Sequence, residues 1–460
     1  MILYSASFFL FFVITSLAVH FVPTVRGQHL IFLLANIVFY ASWDYRFLLL
    51  LFGVIIVCYW TAILYKKTAR QAYITCGVVI CLLTLGVFKY LNFFLESISK
   101  LQIHSLNSLK IILPLGLSFY LFQAISYILD VKNGMAEAEQ DFLKLAAYLS
   151  FFPQISSGPI MKAHDFLPQL DRIHRIRKDN LYLGLQLFVT GLTKKLVIAN
   201  RIGTAVDAVY SAPLAYNWVS VIFAILGYSI QIYCDFSGYS DMAIGLATIW
   251  DFNFGKNFNM PYLAENPSDF WRRWHISLST WFRDYVYIPL GGNRKGECRT
   301  YLNLFITMVL SGIWHGAGLT FIVWGVIHGI AIVIYRFLIN RQLLQRKGNT
   351  IQVGFSILMN FLFISVAWVF FRSESLTQAF TILSGITRNN GVQYISVYTV
   401  VYTVLLLIPA VYSMCFLSKN TPVINMNLDK SQNIVLFSVW IFLIIMMMHS
   451  GDSPFIYMQF

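Results

Sequence analysis

Charge is scarce in this chain. Asp, Glu, Lys and Arg together make up 12% of the 460 residues, against about 25% in an ordinary soluble domain, so lipid is the expected solvent for most of the surface. Long polar stretches are missing too. None exceeds a few dozen residues, which leaves no space for a separate soluble domain, and residues 1–460 are expected to form one domain. Cysteine is sparse: Cys58, Cys76, Cys81, Cys234, Cys298 and Cys415 form no C-x-x-C pair and mostly lie in apolar runs, so neither a disulfide framework nor a zinc site is supported and no metal is expected. No repeat with a period of about 20 to 50 residues recurs, and no inverted symmetry is visible, which weighs mildly against a secondary transporter. The N-terminal MILYSASFFLFFVITSLAV lacks the basic leading segment of a cleavable signal peptide and is expected to remain as a first membrane span.

What is present is hydrophobic, at 58% of residues. Apolar runs near Ile2–Val22, Leu30–Trp43, Phe47–Tyr65, Tyr73–Leu95, Ile111–Leu129, Leu181–Ala199, Trp218–Cys234, Phe236–Trp250, Gly354–Phe371, Val392–Leu417 and Asn433–His449, with a broken pair around His315, predict an all-α polytopic membrane protein of roughly eleven spans. The net charge of +13 fits loops facing anionic lipid and does not argue for nucleic acid. Arg26, the Lys66–Arg70 cluster and the Lys162–Lys178 segment fall on one side if the N-terminus lies outside the cytoplasm, with Lys100 and Lys110 as exceptions.

The most informative stretch is Tyr301–Tyr335, which carries no charged residue yet is too long for one span of about 20 residues. The sequence SGIWHGAG at Ser311–Gly318 predicts its break, and the arm from Tyr301 to Leu310, at about 1.5 Å per residue, places His315 near mid-membrane depth. Non-helical backbone at such depth must be walled by protein or line a water-filled cavity. A histidine there is either packed against a neighbouring helix or part of a reaction chamber.

A second polar centre runs from Asn257 to Arg299. Asn266 or Ser268 can cap a helix opened by Pro267, and Trp271, Trp274, Leu278, Trp281 and Tyr285 recur at helical spacing, predicting one amphipathic helix at the membrane boundary with His275 turned toward the protein. Arg272, Arg273 and Arg283 fall off that apolar face and can snorkel to headgroups, and Arg272, Arg273, Arg294 and Lys295 can instead attract the phosphates of a donor. The basic segment Lys162–Lys178 reads as a solvated loop or as a share of an anionic-donor site. Before it, FFPQISSGPI predicts a short or re-entrant element. Asp235 and Asp241, in an apolar run, are expected to face the protein interior with partners or to touch substrate.

The motifs DFSGYSDMAIG, NPSDFWRRWHISLSTWFRDYVYIPLGGNR, SGIWHGAGLTFIVWGVIHG and the terminal PFIYMQF, with FFPQISSGPI, resemble the membrane-bound O-acyltransferase superfamily, more closely its bacterial branch containing the alginate O-acetylation membrane subunit. Met458 stands where relatives usually have Phe. The resemblance implies a many-helix funnel with re-entrant and interfacial helices, His315 as the essential histidine and His275 as a second. It further implies a cytoplasmic thioester donor, acetyl-CoA or an acyl carrier, with no permanently bound cofactor. An extracytoplasmic acyltransferase partner and a polysaccharide acceptor follow from the same likeness, with the bacterial cytoplasmic membrane as the location. On this basis Trp274, Trp314, Arg272, Arg273, Arg294, Lys295 and Asp235 are candidate donor-binding residues. The glycines beside His315 are expected to leave room for the donor's reacting end, and His275 to orient His315 or to bond the thioester oxygen. D-alanyl transfer from a carrier protein toward teichoic acid is the alternative within the enzyme class, and a transporter, flippase or scaffold the alternative outside it.

Overall fold

The computed structural model describes residues 1–100, 111–344, 349–394 and 426–447. The described residues are helical, with no β-structure beyond one bridge between Tyr216 and Val392. Six stretches among them are long and apolar enough to cross a bilayer: Val25–Thr68, Gln71–Leu95, Lys178–Ser211, Trp218–Ile249, Leu319–Asn340 and Thr350–Arg372. Large apolar side chains such as Leu49, Leu83, Ile351 and Phe355 stand exposed on these helices, the surface expected where the surroundings are hydrocarbon. The protein is a multi-pass membrane protein. The count of eleven spans is not reproduced among the described residues, and most of the expected Val392–Leu417 span, like the PFIYMQF motif, lies outside them.

Backbone contacts divide the chain into two compact units, residues 1–188 with 242–255, and residues 189–241 with 256–460. In the first, α1 (Ala6–Phe21), α2 (Val25–Asp44), α3 (Leu48–Thr68), α4 (Gln71–Leu85), α5 (Leu117–Lys132) and α6 (Phe142–Leu149) pack around an aromatic core. Trp250 is central to it, stacked on Phe12 at 4.9 Å and donating from Nε1 to Ser16 Oγ at 2.9 Å. FFPQISSGPI forms one short buried helix, Phe152–Ile155, and a turn, as its prolines and glycine suggest. The basic segment that follows is not simply a solvated loop. His174 is buried, with Nδ1 2.7 Å from the Trp250 carbonyl and its ring stacked on Phe252 at 4.0 Å, and His164 meets the buried Asp130 at 2.9 Å.

The helix α7 (Lys178–Leu192) continues through a π-helical turn, Thr193–Ala199, into α8 (Asn200–Ser211). The next helix, α9, runs unbroken from Trp218 to Ile249, 32 residues, where two spans were expected. The physical reason lies in the acids read as a boundary. Asp241 accepts from Lys194 Nζ at 2.6 Å and Asp235 from Lys195 Nζ, so neither carboxylate forces the helix to end.

The second unit carries the segments of greatest interest. α10 (Pro267–Arg273) is capped by Asn266, whose Oδ1 accepts from Asp269 N at 2.9 Å. It stops at once, because His275 adopts φ +43°, and α11 (Ile276–Phe282) starts afresh before a π-turn at Arg283–Tyr287. The single amphipathic helix expected from the tryptophan spacing is therefore two short ones. α12 (Glu297–His315) and α13 (Leu319–Asn340) form a tight antiparallel hairpin, with α14 (Thr350–Arg372) against α13 and α15 (Leu376–Ser384) beyond it. A last described helix, α16, spans Ser431–Met447.

The break near His315 also falls later than its glycines suggested. α12 is helical through Ser311 and Gly312 and ends only at His315, and the link is Gly316–Gly318. The helix that ends at His315 is thus 19 residues long, about 28 Å at roughly 1.5 Å per residue, so helix length gives no support to mid-membrane depth. Gly312 serves packing instead: a Cβ there would lie 2.4 Å from the Phe321 carbonyl oxygen and 3.1 Å from Gly325 Cα. Gly325 faces it with equal tightness, 2.7 Å from the Met308 carbonyl oxygen. Two glycines opposite one another let the backbones touch.

Candidate active site

His315 is the last residue of α12, and the hairpin folds α13 back so that Trp324 stands beside it. The imidazole is 2% exposed. Its ring lies 5.1 Å from Trp324 and 5.3 Å from Phe371 of α14, both edge-on, and 5.0 Å from Trp314. Aromatic edges on three sides hold the ring in one orientation and exclude water. The glycine after it has the same effect at short range. A Cβ at Gly316 would meet the Phe321 ring at 2.2 Å, so the close turn is what allows Phe321 to cover the link. At Gly312 and Gly316 the room is filled by protein rather than left clear for a donor, whereas a Cβ at Gly318 would come no closer than 3.6 Å to its neighbours.

His275 is fully buried between α10 and α11, outside the long apolar helices. Its left-handed backbone is uncommon for a residue with a side chain and costs of the order of 1–3 kcal/mol. The strain turns the ring into the second unit's interior, edge-on to Phe236 at 4.6 Å and 6.3 Å from Trp314. Burial pushes its imidazole down from the ordinary value, to about 3, so the neutral ring is the form present near neutral pH. Trp314 is a ring neighbour of both His275 and His315. The two Trp-His pairs, 40 residues apart in sequence, meet across that indole.

Trp274 points elsewhere, packed face-on against Phe270 at 5.5 Å and against Trp368 at 5.0 Å. Trp368 in turn stacks on Trp324 at 5.6 Å, so Trp274 supports the wall behind His315. A third histidine joins this slab, one that the sequence reading passed over. His328 lies one turn beyond Trp324 on α13, fully buried, and its Nδ1 accepts from Trp271 Nε1 at 3.2 Å. The signal available was its spacing of four from Trp324 inside an apolar helix.

A cavity of about 370 Å³ opens beside this assembly. Arg272, Arg283 and Arg336 line its wall, Arg272 lying 3.5 Å from Asp269 and Arg283 2.7 Å from Asp284, while Ser279, Thr307 and Ser311 join them among apolar side chains. Ser311 stands four residues, about one turn, before His315 on the same helix. Of the candidate donor-binding residues, only Arg272 lines this cavity. Arg273 pairs with Asp269 at 2.8 Å, Arg294 is exposed in the turn after Gly292, Lys295 packs its stem against Gly291, and Asp235 is held by Lys195. Arg283 was expected only to snorkel to headgroups and Arg336 was not foreseen, because 53 residues separate the two and no spacing rule connects them.

A histidine walled by aromatic edges, a second one behind the intervening indole, and an arginine-lined cavity one turn away are the parts of a buried group-transfer centre. The profile of the MBOAT, membrane-bound O-acyltransferase family matches residues 139–373, a span that includes all of these groups. The chain belongs to that family and is a membrane-embedded O-acyltransferase. Bacterial members are among its relatives. It is 39% identical over 391 residues to the "Probable alginate O-acetylase AlgI" of Pseudomonas aeruginosa, covering 82% of this chain and 73% of that one. It is 37% identical over 390 residues to the "Peptidoglycan O-acetyltransferase" of Helicobacter pylori, covering 78% and 73%. With the "Teichoic acid D-alanyltransferase" of Bacillus subtilis it shares 29% over 308 residues, covering 62% and 76%. The chain thus falls in the bacterial branch that contains the alginate O-acetylases, as its motifs suggested.

Proposed function

We propose that this protein transfers an acetyl group from a cytoplasmic thioester toward a hydroxyl of an extracytoplasmic polysaccharide, in the bacterial cytoplasmic membrane. The observation that carries the reading is the arginine-lined cavity reaching Ser311, one turn from the caged His315. Phosphates are what arginines lining an apolar hollow would recognise, and acetyl-CoA or a phosphopantetheine carrier presents them at the end remote from the thioester. The apolar interior suits the pantetheine arm. His315 takes the proton of the acceptor hydroxyl as it attacks the thioester carbonyl, the C–S bond breaks and the departing thiolate takes up that proton, or the imidazole displaces the thiolate, carries the acyl group itself and then passes it to the hydroxyl. Exclusion of water by Trp314, Trp324 and Phe371 suppresses hydrolysis of the thioester.

Acetyl is favoured over D-alanyl by the similarities, since the two O-acetylating relatives align at 37–39% identity and the D-alanyltransferase at 29%. The test is the mass added to hydroxyls of cell-envelope glycans in cells with and without this gene product. An acetyl increment that disappears on deletion is expected; an alanyl increment, or no change, would overturn the reading. A partner protein on the outer face, completing the ester, belongs to the same proposal. Its capture by cross-linking during acetylation is the corresponding check.

The donor side makes a second prediction. In the purified full-length protein, Arg336→Ala and Arg272→Ala are each expected to raise the apparent KM for acetyl-CoA roughly tenfold, the scale of one charge-assisted hydrogen bond, with kcat within about twofold. Initial rates at varied acetyl-CoA measure this. An unchanged KM in both variants would remove the cavity as the donor's site.

A further inference from the structure

His275 is held by more than apolar packing. The side-chain amide of Asn257, itself 1% exposed, lies against it, with Oδ1 3.3 Å from His275 Nδ1. The orientation of that amide is fixed by its other partners. Oδ1 also accepts from the backbone N–H of Ser277 at 3.2 Å and from Ser277 Oγ at 2.9 Å, while Nδ2 donates to Ser240 Oγ at 3.0 Å. A backbone N–H can only donate, so the atom facing it is the carbonyl oxygen. Main-chain bonds hold the two segments together as well: Ile276 N donates to the Asn257 carbonyl at 2.8 Å, and Asn259 N to the Arg273 carbonyl at 2.8 Å.

From this geometry we infer that Asn257 is a positioning residue that locks His275 in the tautomer carrying its proton on Nδ1, which leaves Nε2 as the nitrogen with a lone pair. The Ser277 hydroxyl also lies 3.5 Å from His275 Nδ1, but its proton goes to Oδ1 at the shorter 2.9 Å, so only lone pairs face the imidazole and the ring answers with N–H. The consequence bears on chemistry. A neutral His275 of this tautomer accepts a hydrogen bond at Nε2 and cannot offer one there to a developing oxyanion, the role otherwise open to it. Its task is that of a base or acceptor toward an O–H group, and Asn257 serves it as the third member of a nucleophile-base-orienter set serves its histidine. The left-handed backbone of His275 fits the same purpose, since it aims the ring that Asn257 then fixes.

This inference rests on His275 belonging to the active site, so the experiment separates the two. Turnover of acetyl-CoA by the purified full-length protein is compared for wild type, His275→Ala, Asn257→Ala and Asn257→Asp, with size-exclusion profiles as a check on folding. Asn257→Ala is expected to lose about 10- to 100-fold in kcat with the donor KM within twofold, the cost usual for an orienting partner. Asn257→Asp keeps an acceptor toward Nδ1–H and is expected to recover most of that loss. Its carboxylate favours the charged imidazole, so the acidic limb of its pH profile shifts to higher pH. If His275→Ala turns over normally, the reading of His275 falls and the lock with it. If His275→Ala is impaired while Asn257→Ala matches wild type in kcat and pH profile, only the lock is overturned. Nitrogen NMR of ¹⁵N-histidine-labelled wild type, with the His275 signals assigned by difference against a His275 variant, needs no Asn257 variant to fold. Protonated Nδ1 supports the inference, and protonated Nε2 in the neutral ring refutes it.

Discussion

His315→Ala is expected to abolish acylation of envelope glycans, with turnover of acetyl-CoA in the purified protein down by at least about 10³-fold, the range for loss of a general base or nucleophile. The side chain is buried among Trp314, Trp324 and Phe371, so truncation leaves a hollow in the aromatic cage as well as removing the imidazole. His315→Gln fills most of that hollow while supplying no base. Both variants should therefore be inactive, with the glutamine form as abundant in the membrane as wild type. Immunoblotting of membranes beside ester analysis of the glycans separates lost chemistry from lost protein. Acylation at the wild-type level in the glutamine variant would sink the assignment of His315.

The second large effect comes from a residue that touches no reacting group. Gly312→Ala places a methyl group 2.4 Å from the Phe321 carbonyl oxygen, a distance that backbone atoms cannot tolerate. The helices α12 and α13 must part locally, by an ångström or so. The overpacking cost is about 1–3 kcal/mol, which a protein of this size can survive. Activity should not survive so well. His315 stands three residues beyond Gly312 and Trp324 directly before Gly325, so parting the hairpin displaces the imidazole from its cage, and a shift of about 1 Å can cost roughly 10²-fold. The expected result is folded protein with acetyl-CoA turnover reduced about a hundredfold. Gly354→Ala, on α14 with nothing within 4 Å of its added Cβ, is the control that should behave as wild type. Equal activity of the two would show that the hairpin's closeness is immaterial to the reaction.

The residues that carry chemistry were more legible in the sequence than the shapes that hold them. Hydrophobic run length located the long helices Leu48–Thr68 and Thr350–Arg372 to within a few residues at each end, because lipid imposes composition directly on a span. The two Trp-His pairs stood out because polar aromatics in apolar runs are rare, and the structure does bring them to one indole. Where the reading went astray, a local rule met a tertiary contact. Gly312 has a breaker's propensity, yet Gly325 across the hairpin makes it a packing residue. Asp235 looked like the end of a span, yet Lys195 cancels its charge and the helix continues. His275 was assigned to a regular helix by the spacing of its tryptophans, and no periodicity announces a left-handed backbone. The roles of Asn257, His328 and Arg336 went unnoticed because each acquires meaning only from a neighbour distant in sequence.

The widened turn at Thr193–Ala199 sets a frame for everything around it. Lys194 and Lys195 are consecutive, yet each reaches its own acid on α9, Asp241 and Asp235, six positions apart. Deleting one residue there would restore ordinary winding and rotate whatever precedes it by about 100°. At least one ammonium group would then part from its carboxylate, stranding a charge in a largely buried setting. Insertions and deletions in this short stretch should be far less tolerated than substitutions among its apolar residues, and a deletion scan across residues 193–199 would reveal that intolerance as a narrow gap in surviving variants.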